Sequence, residues 1–229
     1  MENYSKKKEC LRTLKVSIEN VAPPNGTIFS SAWFGFHDGN FTIYSPGSAA
    51  SPALERMAED GNSGPLTNEF SKVGAGVVQG TLFGSANVFN DSFPGDIVSR
   101  KVVIDSSLSS SHYFSYATMI VPSNDAFIAN ESPITHRIFD DEGSFIGADF
   151  TVFGNAILDA GTEVNDEAPF HAAGAGPVFV VGAGVVENGV VHEHEGYKPG
   201  GTILSNPMFA NANFKVEGYR VARIVVSEA

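Results

Sequence analysis

In the stretch RTLKVSIENV (12–21), Leu14, Val16 and Ile18 alternate with Lys15, Ser17 and Glu19. A period of two puts the apolar set on one face and the polar set on the other, which predicts a half-buried strand. Six further stretches predict strands: GVVQGTLFG (76–84), DIVSRKVVI (96–104), HYFSYATMIV (112–121), ADFTVFG (148–154), GPVFVVGAGVV (176–186) and YRVARIVVS (219–227). Turn clusters separate them, among them APPNG, DSFPGD, PSND, DDEG, ENG and KPGG. One segment has helical signals instead. Ser51 is placed as N-cap, Pro52 at the first helical position, Leu54, Met57 and Ala58 on one face, and Gly61 as the stop. A second short helical piece is expected around Leu66 to Lys72.

Many strands with one or two short helices predict an all-β fold, an antiparallel β-sandwich. The chain has 229 residues, a length that such sandwiches reach as single units. No linker splits it, so residues 11–229 are read as one domain and residues 1–10 as a flexible tail. Hydrophobic residues at 42% suffice for a sizeable core, and 17% charged residues argue against disorder.

A net charge of −12 excludes nucleic acid as a partner, because phosphate binding needs a basic face. No apolar run approaches the roughly 20 residues of a transmembrane helix. The basic cluster in MENYSKKKEC lacks the apolar stretch of a signal peptide. Cys10 is the single cysteine, so no internal disulfide forms and thiolate metal clusters are excluded. The glycines at 74, 76 and 80, and at 182, 184 and 189, miss the spacing of a phosphate loop. Neither a G-x-S-x-G elbow nor an HExxH helix is present.

The acidic residues are unevenly spread. Residues 125–167 hold ten of them against one basic residue, Arg137, and so carry −9 of the −12. LDAGTEVNDE (158–167) alone has four carboxylates. Two readings are open: a solvated acidic face, or oxygen ligands for a hard cation such as calcium, which takes about 6–8 oxygens. In the second, Asp159 and Glu163 curl around one ion across Ala160-Gly161-Thr162. VHEHEG (191–196) offers His192 and His194 on one side of a strand, either as zinc ligands with His171 or His136, or as exposed residues of a polar hairpin arm.

PSNDAF (122–127) followed by DAGTE (159–163), with SAWFGFHDGNF (31–41) and ASPALERMAEDG (50–61) upstream, resembles the spondin domain, the N-terminal module of F-spondin and mindin. The similarity runs from about Leu14 to Val226. It implies a C2-like sandwich of about eight strands and a calcium ion (Ca2+) held by Asp125, Asp159 and Glu163. Glu163 departs from the animal pattern, which has Asp there. The implied function is a secreted or extracellular, non-enzymatic calcium-binding module for adhesion or ligand binding, with a protein or carbohydrate partner and a possible homo-oligomer. The alternatives are a subunit of a calcium-stiffened coat or filament and, less favoured, a metal-dependent hydrolase. Five N-x-S/T sequons begin at Asn3, Asn25, Asn40, Asn90 and Asn130.

Overall fold

The alternation of residues 12–21 becomes strand β1 (Leu11–Asn20), with Leu14, Val16 and Ile18 buried. It is the second strand of a four-stranded antiparallel sheet in the order β5 (Ile97–Asp105), β1, β12 (Arg220–Glu228), β9 (Ala148–Phe153). Register is set by the pattern: Val16 lies opposite Val226, and Ile18 opposite Ile224, so all the apolar side chains share one face. The structure, a computed structural model, describes residues 10–84, 90–168 and 184–229.

A second sheet faces that apolar surface. Its order is β11 (His192–Glu193), β10 (Leu158–Asp159), β7 (Ala126–Ala129), β6 (Tyr113–Val121), β3 (Ala32–His37), β4 (Val78–Leu82). The short strands β2 (Ile28–Phe29) and β8 (His136–Arg137) also pair with β6. Every pairing in both sheets is antiparallel. Among the described residues eight strands have four or more residues; β2, β8, β10 and β11 are two-residue pieces. The expected sandwich of about eight principal strands is therefore present.

Two strands had no alternation to announce them, β3 and β7. Both are buried along their whole length because the second sheet is covered on both faces. Phe34, Phe36, Ala126 and Ile128 point into the core between the sheets. Trp33, Phe127 and Ala129 point to a second core. Over that second face lie α1 (Pro52–Asp60) and α2 (Gly64–Val73), which contribute Leu54, Met57, Leu66 and Phe70.

Helix α1 starts and stops where its sequence dictates. Ser51 Oγ accepts from the Leu54 N–H at 3.2 Å, and Pro52 opens the first turn. Gly61 ends it at φ +64°, with its N–H bonded to the Met57 carbonyl at 3.1 Å. The second helical piece, expected at Leu66 to Lys72, runs from Gly64 to Val73.

Of the strand expected at 176–186, residues 176–183 lie outside the described residues; Val186 forms an isolated bridge with Glu163. Residues 1–9 of the expected tail and His171 also lie outside them. Among the described residues no helix is long and apolar enough to cross a membrane.

Candidate functional site

The turn between β6 and β7 and the loop after β10 meet because β7 and β10 pair, with Ala126 opposite Asp159. Main-chain bonding continues the seam: the Ala160 N–H donates to the Asp125 carbonyl at 3.2 Å. In the β6–β7 turn, Ser123 Oγ donates to the Ile120 carbonyl at 2.6 Å and accepts from the Ala126 N–H at 3.0 Å. Tyr197 pins the same turn through its hydroxyl, which donates to the Pro122 carbonyl at 2.6 Å.

Asp125 is fully buried. Its Oδ2 accepts three hydrogen bonds from the DAGTE loop: Thr162 N–H at 2.7 Å, Thr162 Oγ1 at 3.0 Å and Glu163 N–H at 3.0 Å. Its Oδ1 is buried with no hydrogen-bond partner among the described residues. Asp159, also fully buried, accepts from the Gly161 N–H at 2.7 Å through Oδ1 and from Asn165 Nδ2 through Oδ2. Gly161 makes this curl possible. It sits at φ +68°, and a Cβ there would lie 2.5 Å from the Val190 nitrogen.

These two carboxylates lie close enough to repel. Burial pushes the Asp125 carboxyl up to about 6, and the Asp159 charge adds to the rise against the three hydrogen bonds. Among the described residues no Lys or Arg forms a salt bridge with either. His192 Nδ1 lies 3.9 Å from Asp159 Oδ1. A buried pair of carboxylates without a Lys or Arg is costly, and an unpartnered buried oxygen adds to that cost.

Glu163 joins the site through its main chain. Its N–H holds Asp125, while its carboxylate accepts from the Gly184 N–H. Among the described residues no three His, Cys, Asp or Glu side chains stand together as a ready metal-ligand set. The close pair is Asp125 and Asp159. Glu167 has a different task. Its carboxylate accepts from the Lys198 N–H, and from the Ile203 N–H at 3.4 Å, and so fastens the 198–203 turn.

The histidines do not behave as a hairpin pair. Strand β11 covers only His192 and Glu193; His192 is exposed, whereas His194 is 2% exposed. His194 Nδ1 accepts from the Gly196 N–H at 2.9 Å, so the proton of the neutral ring sits on Nε2, which has no partner among the described residues. Burial holds this imidazole near a pKa of about 4. A nitrogen carrying its proton cannot ligate a metal, and His136 stacks on Phe150 with centroids 3.8 Å apart. The zinc reading is therefore set aside, and so is the picture of two exposed histidines. Neither the buried His194 nor the Asn165 bond to Asp159 was legible in the sequence, where both residues stand in polar surroundings.

The buried pair suits a small, hard cation that prefers oxygen. The Asp125 Oδ1, without a hydrogen-bond partner among the described residues, is the atom such an ion would engage first. No curated protein matches the chain. A family model, Spondin_N, matches residues 22–133, a span that includes Asp125 and ends before Asp159 and Glu163.

Proposed function

We propose, from the match of the Spondin_N family model to residues 22–133, that the chain is a calcium-ordered, non-enzymatic binding module for an extracellular protein or carbohydrate. One observation supports this reading above the others: two fully buried carboxylates, Asp125 and Asp159, repel each other with no Lys or Arg bridged to either and no partner for Asp125 Oδ1 among the described residues. A bound calcium ion would supply the missing positive charge. Asp125 and Asp159 would hold it, and Glu163 would join them on releasing the Gly184 N–H. Loop carbonyls and water would complete the shell that calcium requires.

The residues around the pair have a positioning role. Thr162 and the Glu163 N–H aim Asp125 by fixing its Oδ2, which leaves Oδ1 for the ion. Gly161 and Asn165 do the same for Asp159. Binding would thus order the loops at one end of the sandwich, the usual place for recognition on a rigid β scaffold.

Thermal melts in chelator, in millimolar calcium and in millimolar magnesium test the proposal. At a concentration about 100 times Kd, an ion that binds only the folded state adds roughly 2.7 kcal/mol. For a domain of this size that raises Tm by roughly 5–11 °C. The rise should be larger for calcium than for magnesium and absent in Asp159→Asn. A flat melt in metal-free protein would reject the proposal.

A further inference from the structure

The four-stranded sheet ends in β9, which pairs with β12 on one side only. Backbone groups on its other side have no hydrogen-bond partner among the described residues. Such an edge templates the addition of another strand, and proteins ordinarily blunt it with Lys or Pro. The sequence of β9, ADFTVF, has neither, and its one charge, Asp149, is engaged by Arg223 at 2.7 and 2.9 Å. At the opposite end of the same sheet, β5 carries Arg100 and Lys101. The two edges are thus treated differently.

Beside β9 the sandwich opens into a cleft of 410 Å³, a size that suits a large side chain or a small ligand. Rings line it: Phe150 of β9 stacks on His136 and lies 5.7 Å from Tyr116, while Tyr44 stands on the side of the second sheet. The hydroxyls of Tyr44 and Tyr116 have no hydrogen-bond partner among the described residues. Exposed Glu131 lies at the rim, near enough to Tyr44 that its charge acts on the phenol. Among the described residues no Lys or Arg lines the cleft. Most of its wall belongs to residues 125–167, the stretch that carries −9.

These features select one kind of occupant. Aromatic faces attract cations, and Glu131 adds a carboxylate for a cation to reach. An anionic group would meet only negative charge. The bare edge adds a demand that a free amine does not meet, a main chain that can continue the sheet. We propose that β9 takes an extended segment of a partner protein as an additional strand, with a Lys or Arg side chain of that segment in the cleft. Main-chain hydrogen bonds would supply affinity, and the basic side chain would fix the register.

The test is calorimetric titration of the full chain with a capped seven-residue peptide that alternates threonine and valine around a central arginine. Three comparisons accompany it: the same peptide with central glutamate, the arginine peptide N-methylated at alternate amides, and the protein variant Glu131→Lys. Glu131 is exposed, so that variant folds as the parent does. The arginine peptide should bind, and each comparison should weaken it about tenfold or more. Amide exchange should slow along β9 in the bound state. No binding of the arginine peptide, or equal binding of the glutamate or N-methylated form, would overturn the proposal. A doubling of particle mass in light scattering that Thr151→Pro abolishes would give the edge to a second copy of the chain, and would overturn it too.

Discussion

Replacing Asp125 by Asn should stabilise the ion-free protein, an uncommon result for a fully buried polar residue. The carboxyl stands at about 6 in the fold against an ordinary 3.8, chiefly through burial and then through the Asp159 charge. A raised acid favours its neutral form in the folded state. Its stabilising contribution is fully present below pH 3.8 and is lost as pH rises through 6. At pH 7 the cost is about two pKa intervals, or ~3 kcal/mol as an upper bound. An asparagine carries no charge, and its carbonyl oxygen can still accept from Thr162 and the Glu163 N–H. The position of about 6 already includes the help those donors give the charged form.

In chelator at pH 7, Asp125→Asn should therefore melt higher than the parent by up to roughly 6–12 °C, with the gain shrinking toward zero near pH 4. The comparison between variant and parent is essential. His37, His136 and His194 are each held near about 4 by burial, so they take up protons more readily when unfolded. They make the whole protein more stable as pH rises from 4 to 6.5, the opposite sign to Asp125. Only the difference isolates the aspartate. A variant that melts at or below the parent in chelator at pH 7 would refute the electrostatic argument.

Phe114 is fully packed between the sheets against Phe34 and Phe36, so Phe114→Ala should cost about 3–5 kcal/mol, read as a fall in the midpoint of denaturant unfolding. Ser51→Ala removes the cap of α1 and should cost about 1 kcal/mol in the same assay, with the fold retained by circular dichroism. Of the sequons, Asn130 is 7% exposed and spends its amide on Ser115 Oγ at 3.0 Å and the Ser132 carbonyl at 2.7 Å, whereas Asn25 and Asn40 are exposed. Expression through a glycosylating secretory pathway should leave Asn130 bare by mass spectrometry and modify Asn25 and Asn40.

Legibility followed solvent contact. Strand β1 could be read because Lys15 faces water while Leu14 and Val16 face the core, so the pleat is written as alternation. In β3, Trp33 and Phe34 face different cores, and two apolar faces leave no alternation to read. Helix α1 was readable from cap to cap because its signals are local. At the candidate site, charge density and motif pointed to Asp125 and Asp159, and β7–β10 pairing brings the two together. Glu163 was expected beside them by side chain, but its carboxylate meets Gly184, far along the chain. The cleft beside β9 was invisible in the sequence. Its rings come from separate segments around residues 44, 116, 136 and 150, joined only when the sheets pack.

Calcium titrated calorimetrically into chelator-stripped protein at pH 7, with Asp159→Asn alongside and bound metal analysed in the same samples, tests the central claim most directly. Saturable binding of about one ion per chain is expected, with weaker binding of magnesium and none in the variant. Protein that is free of metal by analysis and gives no calcium heat and no retained ion would contradict it, and would leave Asp125 and Asp159 as a buried pair that the fold tolerates without a counter-ion.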